Sequence, residues 1–283
     1  MEQISFSNLK NTVCVITGGG GVIGTVLAEG LAKLNVKIAI LDISKELADK
    51  AAKSVVEKYG TKAIGVEANV LDKQSLENAK NIIIEKFGRI DSLINGAGGN
   101  SPKATTQEEF ITDDNVSSLD ETFFGLELEG FQKVFDLNFL GTLLPTMVFA
   151  KEMVERKSGV VLNISSMNAY HPLTKIPAYS AAKSSINNFT EWLAVHFAKM
   201  NVRVNAIAPG FFLTSQNEFL LIDEKSGELT ERGNKIISNT PMAKFGEPDD
   251  LQGAVYYLLS DMSKFVTGIV IPIDGGFNAY SGV

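Results

Sequence analysis

Val13-Cys14-Val15-Ile16-Thr17-Gly18-Gly19-Gly20-Gly21-Val22-Ile23-Gly24 is the stretch on which the reading of this chain turns. A β-rich apolar run with no polar alternation suits a strand covered on both faces, and it leads directly into a glycine run. Ile23, Leu27, Leu31 and Leu34 then recur at helical spacing, which lays one apolar stripe on the sheet. A second apolar run follows over 36 to 42, so strand, glycine turn, helix and strand make a βαβ unit. Glycines are required in such a turn when the backbone must approach a pyrophosphate, whose charge is met by the free N–H groups of the helix start. Gly18, Gly20, Gly21, Val22, Ile23 and Gly24 are therefore candidate phosphate-loop residues. A glycine run alone also suits a flexible turn, and its position between strand and helix favours the phosphate loop.

Working outward, strands are predicted over 12 to 17, 36 to 42, 62 to 68, 91 to 95, Val160 to Ser165, Val202 to Ala208 and Ile269 to Ile273. Helices are predicted over 44 to 59, 72 to 87, 129 to 156 and 178 to 200. Alternation of this kind predicts an α/β fold, a Rossmann-type doubly wound parallel sheet. With no internal repeat and no Pro/Ser-rich linker, a single domain over 1 to 283 is expected, with a segment inserted before the fourth crossover helix.

Composition excludes several partners. A net charge of −7 with no basic stripe argues against nucleic acid, since binding there requires cations that displace phosphate counterions. No window approaches the roughly 18 apolar residues of a membrane span, and the start Met1-Glu2-Gln3 has no basic leader, so a cytoplasmic protein is expected. The single cysteine, Cys14, sits in an apolar run and reads as a core residue of a reducing compartment. His171 and His196 stand alone, without the ligand spacing of a metal site, and no metal is expected.

The second strand ends in Asp42, 18 residues after Gly24, where a carboxylate can accept hydrogen bonds from ribose hydroxyls. That charge would repel a 2′-phosphate; Ile43 follows it, and no arginine or lysine stands at 19 to 21, so NAD (as NADH) is favoured over NADP. Downstream, Tyr179 and Lys183 fall at i and i+4 of a predicted helix and project from one face. A neighbouring ammonium would favour the phenolate and lower the tyrosine pKa, making Tyr179 a usable acid or base. Ser166 lies just past the strand ending at Ser165, at the carboxyl end where open α/β sheets bind ligands. Ser165 alternates with Ile164 and belongs to the strand, so Ser166 is preferred as the hydroxyl that polarises a carbonyl.

Thr17 to Gly24, Asn95-Gly96-Ala97-Gly98, Asn138 in Leu137-Asn138-Phe139-Leu140-Gly141, Ser166, Tyr179 with Lys183, Pro209-Gly210 with Thr214, and Asp274-Gly275-Gly276 occur in one order along the chain. In that order and combination the chain resembles the short-chain dehydrogenases/reductases over nearly its whole length. The resemblance implies a catalytic tetrad: Asn138 anchoring a proton-relay water, Ser166 holding the carbonyl, Tyr179 as general acid/base, and Lys183 binding the nicotinamide ribose while lowering the Tyr179 pKa. It also implies cofactor contacts from Asn69, Val70, Asn95, Gly96, Ala97, Gly98, Pro209, Gly210, Phe212 and Thr214. Three positions depart from the family pattern: Val22 stands at the middle glycine, Gly96 at an asparagine, and Asn69 at the aspartate that meets adenine.

Asn138 follows Asn95 by 43 positions, longer than small members of that family require, and the excess is the acidic segment 103 to 129. Its eight acids face one base, Lys103; without it the chain has 25 acids and 25 bases. Such an insertion serves as a lid, a subunit contact or a solvated loop, and Phe110, Phe123, Phe124 and Leu126 predict partial packing. The segment about 211 to 240 is expected to be the substrate loop. The run Ala208 to Thr214 and the tail Gly275 to Val283 are similar to the branch that interconverts D-mannonate and D-fructuronate, which implies a sugar-acid substrate. A carboxylate needs a cation or several donors, and Asn100, Ser101, Asn168, His171 and Lys175 are the candidates; eight insertion carboxylates would repel such a substrate unless most point outward. A reductase of another sugar acid or polyol, similar to gluconate 5-dehydrogenase, shares every one of these residues, and a non-catalytic NAD-binding sensor is the reading from a different class. The resemblance also implies a homo-oligomer, dimer or tetramer, through helices 129 to 156 and 178 to 200, with Ala181, Ala182 and Ala194 permitting close approach.

Overall fold

Val13–Thr17 (β1) is buried at every position, because it lies inside a sheet with helices on both faces. In the computed structural model, which describes residues 6–282, β1 pairs in parallel with Lys37–Asp42 (β2) on one side and Ser92–Asn95 (β4) on the other. Ala63–Glu67 (β3), Gly159–Ile164 (β5), Val202–Pro209 (β6) and Val270–Ile273 (β7) complete a seven-stranded parallel sheet in the order β3-β2-β1-β4-β5-β6-β7. The expected doubly wound single domain is thus the observed one. The Met1-Glu2-Gln3 start and Val283 of the tail lie outside the described residues.

Crossover helices cover the sheet for reasons written locally. Val22–Lys33 (α1) starts at Gly21 and buries Leu27 and Leu31 completely, each stabilising by about 1.5–3 kcal/mol relative to exposure. Lys45–Tyr59 (α2) is capped by the Ser44 hydroxyl and Lys73–Phe87 (α3) by the Asp72 carboxylate; each ends at a left-handed glycine, Gly60 and Gly88. One core face gathers Ile16, Leu27, Ile38 and Ile94, the other Val15, Leu93, Phe149 and Val161. Cys14 is fully buried and unpaired, and burial pushes its thiol pKa up to about 12.

The helix predicted over 129 to 156 is interrupted. Leu128–Phe135 (α4) runs into a π-helical turn, Asp136–Leu140, before Gly141–Arg156 (α5). Periodicity cannot register one widened turn, since the apolar face resumes with little offset. Pro177–Phe197 (α6) is as expected, but Ala182 and Ala194 face the core, because α6 lies on the sheet. Only Ala181 of the three small residues is on the outer face.

The segment 100 to 127 forms short 3₁₀ turns without a core of its own. The expected packing of its aromatics is corrected: Phe110, Phe123 and Phe124 are each about two-thirds exposed, and the last two meet only edge to face at 5.5 Å. What holds it is polar. Thr106 N–H donates to the Lys175 carbonyl, Gln107 and Glu108 N–H to the Glu121 carbonyl, and Ala104 is buried beside Val134 and Ala178. After β6, 211 to 240 carries Glu218–Leu221 (α7) and Glu231–Ser238 (α8), the latter capped by Thr230. Gln252–Leu259 (α9) closes one face of the sheet. No helix among the described residues is long and apolar enough to cross a membrane.

Candidate active site

The strand order reverses between β1 and β4, so the loops after these strands part and leave a cleft at the carboxyl edge. Gly18 leaves β1 with φ +63°, and a Cβ there would stand 2.8 Å from the Ala97 backbone. The Thr17 hydroxyl accepts from Gly96 N–H (3.1 Å) and Ala97 N–H (3.3 Å), binding the β4 exit to the glycine turn. Val22 opens α1 and is not among the residues of positive φ, so a branched side chain is accommodated where a glycine is expected. Asp42 is clamped by Gly20 N–H (3.1 Å) on one oxygen and Ser44 N–H (3.0 Å) on the other, with lone pairs remaining toward the cleft.

The cleft measures about 660 Å³. Asp42, Ile43, Asn69 and Val70 line one side, Gly18, Ala97 and Gly98 its base. Ile43 is 71% exposed there, an apolar wall suited to a flat ring. Asn69 accepts from Leu71 N–H at 2.9 Å through its side-chain oxygen, the place where an aspartate was expected. The opposite wall was missed by sequence reading: Glu129, Gln132, Lys133 and Asp136 also line the cleft. Their three- and four-residue spacing marks one helix face, a signal available in the sequence but without indication of what it faces.

Beyond the cleft, the π-helical turn presents Asn138, fully buried. Its amide donates to the carbonyls of Gly99 (2.7 Å) and Val134 (2.8 Å), and its oxygen accepts from Gly99 N–H (3.3 Å). A Cβ on Gly98 would lie 2.7 Å from the Asn138 oxygen and 3.3 Å from Lys183 Nζ, so a side chain there would fill the space these groups share. Lys183 is 4% exposed; its Nζ donates to the Ile164 carbonyl at 2.8 Å and lies 5.5 Å from the Tyr179 ring centre. Ser166 lies near enough to Tyr179 for its hydroxyl to favour the phenolate, and it accepts from Asn168 N–H. Ser165 turns away: its N–H continues the ladder to Ile207, and its hydroxyl donates to Asn187. The four residues Asn138, Ser166, Tyr179 and Lys183 are thus gathered at the carboxyl ends of β4 and β5.

The electrostatics differ from expectation. Burial pushes the Tyr179 phenol above its ordinary value, with the Ser166 hydroxyl opposing, while burial draws Lys183 down to about 8. The expected lowering of Tyr179 by Lys183 is not present in this protein-only site, because the ammonium is itself desolvated and bonded to a backbone carbonyl.

The remaining candidates divide. Asn95 lies beneath the site and donates to Thr146 and Asn163, so it braces neighbouring elements; its side-chain oxygen has no hydrogen-bond partner. Pro209 ends β6, and Gly210 packs against Asp274, where a Cβ would meet the backbone at 2.6 Å. Phe212 turns its ring into the core against Gly246, which leaves only its backbone for a cofactor. Thr214 donates to the Asn217 oxygen (3.1 Å). Of the substrate candidates, Asn168 is buried next to Ser166. Asn100 and Ser101 are engaged in the turn that roots the insertion, bonded to Thr105. His171 is tied to Asn278 at 2.7 Å, and Lys175 donates to the Gln107 carbonyl. His196 stacks on Trp192 at 4.7 Å. No group of His, Cys, Asp or Glu among the described residues is arranged to hold a metal.

A closely approached glycine turn at a helix start, a clamped carboxylate and an apolar wall fit a dinucleotide; a phenol, a hydroxyl and an ammonium beside it suit proton transfer to or from an oxygen. A family profile described as enoyl-(acyl carrier protein) reductase matches residues 20–278. A Haemophilus influenzae protein called an uncharacterized oxidoreductase is 52% identical over 277 residues, 98% of this chain and 96% of its own. A 2-dehydro-3-deoxy-D-gluconate 5-dehydrogenase of Formosa agariphila is 33% identical over 280 residues, covering 99% of this chain and 97% of its own. Among solved structures, a Haemophilus protein provisionally named D-mannonate oxidoreductase, with NAD bound, superposes with a TM-score of 0.92 at 51% identity, over 98% of this chain and 99% of that one. Fold, site geometry and these matches agree that this chain belongs to the short-chain dehydrogenase/reductase family and is an oxidoreductase of that family.

Proposed function

We propose that this chain binds NAD(H) and interconverts D-mannonate and D-fructuronate, with Tyr179 as the general acid/base. The observation that carries the reaction type is the convergence of Ser166 on Tyr179, with Lys183 at 5.5 Å from its ring, beside a cleft of about 660 Å³. When bound, the nicotinamide supplies or accepts the hydride. In the reductive direction the Tyr179 phenol gives its proton to the substrate carbonyl oxygen while the Ser166 hydroxyl donates a hydrogen bond to the same oxygen. In the oxidative direction Tyr179 withdraws that proton. Lys183, held on the Ile164 carbonyl, retains further N–H donors for a ribose hydroxyl and holds positive charge near the phenolate as it forms. Asn138 fixes the 98–99 backbone against Lys183 and keeps the relay aligned. Asp42 accepts from the adenosine ribose hydroxyls and disfavours a 2′-phosphate.

The substrate assignment is supported by the likeness to the Haemophilus structure and by outward-facing acids: Glu108, Asp113, Asp114, Asp120 and Glu121 are exposed, and Glu127 and Glu129 pair with Lys103. The second reading, another sugar acid, is supported by the Formosa relative and shares the whole site. Gathering of all four tetrad residues counts against a non-catalytic NAD-binding sensor. A homo-oligomer is supported by the outer face of α5 and α6, where Met147, Trp192 and Val195 are all more than half exposed. The decisive experiment is loss of NADH absorbance with D-fructuronate and 5-ketogluconate in parallel, repeated with NADPH. Preference for fructuronate and NADH is expected; turnover of 5-ketogluconate alone moves the substrate, and preference for NADPH removes the role of Asp42.

A further inference from the structure

The insertion is anchored at two places. Its root is fixed at Tyr179, since Ala104 is buried with Ala178 in the cluster that Tyr179 packs against, and Thr106 N–H holds the Lys175 carbonyl four residues before Tyr179. From there the chain crosses to α8, where Glu109 forms an ion pair with Lys235. This is the contact by which an insertion carboxylate reaches the segment after β6. Arg232 and Lys235 are three apart on α8 and share a face. Lys175 arrives from the Tyr179 side, with one donor spent on the Gln107 carbonyl and others remaining. The Glu109 carboxyl is held below its ordinary value by the Lys235 hydrogen bond, with Lys175 and Arg232 adding to the field. One cation, Lys235, thus pairs with a carboxylate supplied by the protein itself, Arg232 shares its helix face, and Lys175 is held two residues away on the Gln107 carbonyl, at the span between the Tyr179 segment and α8.

We infer that Lys175, Arg232 and Lys235 are the receptor for the substrate's carboxylate, and that Glu109 stands in for that carboxylate until substrate displaces it. The inference rests on the sugar-acid reading above. In an open-chain keto acid of this class the carboxylate and the carbonyl lie several bonds apart, so a carbonyl on Tyr179 directs the carboxylate along the chain toward Lys175. Displacement exchanges one carboxylate for another, so the net charge of the cluster does not change. An insertion rich in acids thereby serves an anionic substrate, because Glu109, paired with Lys235, occupies the seat the substrate takes.

The test compares D-fructuronate with its uncharged methyl ester on the NADH-loaded enzyme, for the wild-type chain, the double variant Arg232→Met/Lys235→Met, Glu109→Gln, and Lys264→Met as an exposed control outside the cluster. Wild type is expected to prefer the acid over the ester by about tenfold or more in kcat/KM, the scale of one or two charge-assisted hydrogen bonds. The double variant should bring that ratio close to one, and Lys264→Met should not move it. Glu109→Gln should lower KM for the acid several-fold by removing the competing carboxylate. An unchanged acid-to-ester ratio in the double variant overturns the receptor; an unchanged or raised KM in Glu109→Gln overturns the stand-in. Absence of wild-type turnover on either compound, with activity on a neutral ketone, overturns the sugar-acid reading itself, and the inference with it.

Discussion

The cofactor cleft and the roof formed by segments 100 to 127 and 211 to 240 are built in opposite ways. In the cleft, Gly18, Thr17, Asp42 and Gly98 are held by backbone contacts of adjacent parallel strands, and their partners are fixed by the register of β1 with β2 and β4. In the roof, 100 to 127 and 211 to 240 meet through exposed charges such as Glu109 with Lys235, and Phe110, Phe123 and Phe124 face outward. The cleft cannot shift without disturbing the sheet, whereas the roof can exchange partners at little cost. A binding site for an invariant cofactor suits the first construction; recognition of a particular substrate suits the second.

If that contrast holds, substitutions should divide by region. Tyr179→Phe removes the proton carrier and should lower turnover by about a thousandfold or more, with NADH affinity measured by fluorescence titration nearly unchanged; near-normal turnover would break the assignment of the cleft. Next in size is a pH effect on stability. Unfolded, Lys183 keeps its proton up to its ordinary pKa of 10.5, whereas the folded chain gives it up near 8. The unfolded state therefore binds more protons in that window, and stability rises with pH from about 8 toward 10, by up to roughly 3 kcal/mol. Above 10 the raised Tyr179 pKa acts with the opposite sign, since the folded chain then holds the extra proton. Urea midpoints across this range should show the rise in wild type and lose it in Lys183→Met. Asp42→Asn should weaken NADH roughly tenfold and narrow the discrimination against NADPH, read from Kd values for the two dinucleotides. Smallest is Lys103→Ala in the roof, which loses exposed pairs with Glu127 and Glu129 and should leave the urea midpoint of unfolding nearly unchanged. A marked fall there would show the roof to be as rigid as the cleft.

Legibility followed the same division. Gly18, Asp42, Ser166 and Tyr179 could be read from residue type and spacing, because each sits at the end of a strand or on one helix face and local pattern carries the geometry. Lys183 was legible as a position but not in its protonation, since desolvation depends on every group packed around it. The facing wall, Gln132 and Lys133, had the right spacing with nothing to say what it faces. Phe110, Phe123 and Phe124 were expected to pack, and they do not, because hydrophobicity states a preference for burial without naming a neighbour to supply it. Lys175, read as a cation for substrate, also donates to the Gln107 carbonyl of the insertion, a partner 68 positions away that no local pattern names.

The sequence by itself determined the parallel sheet and the glycine turn, which follow from periodicities and spacings within tens of residues, and it placed the candidate tetrad through the resemblance to the family. The tertiary structure alone decided the π-helical turn that presents Asn138, the burial that sets Tyr179 and Lys183, and the meeting of Glu109 with Lys235 across 126 positions of chain. Those depend on which surfaces meet in space, and no local pattern encodes the partner of an exposed charge.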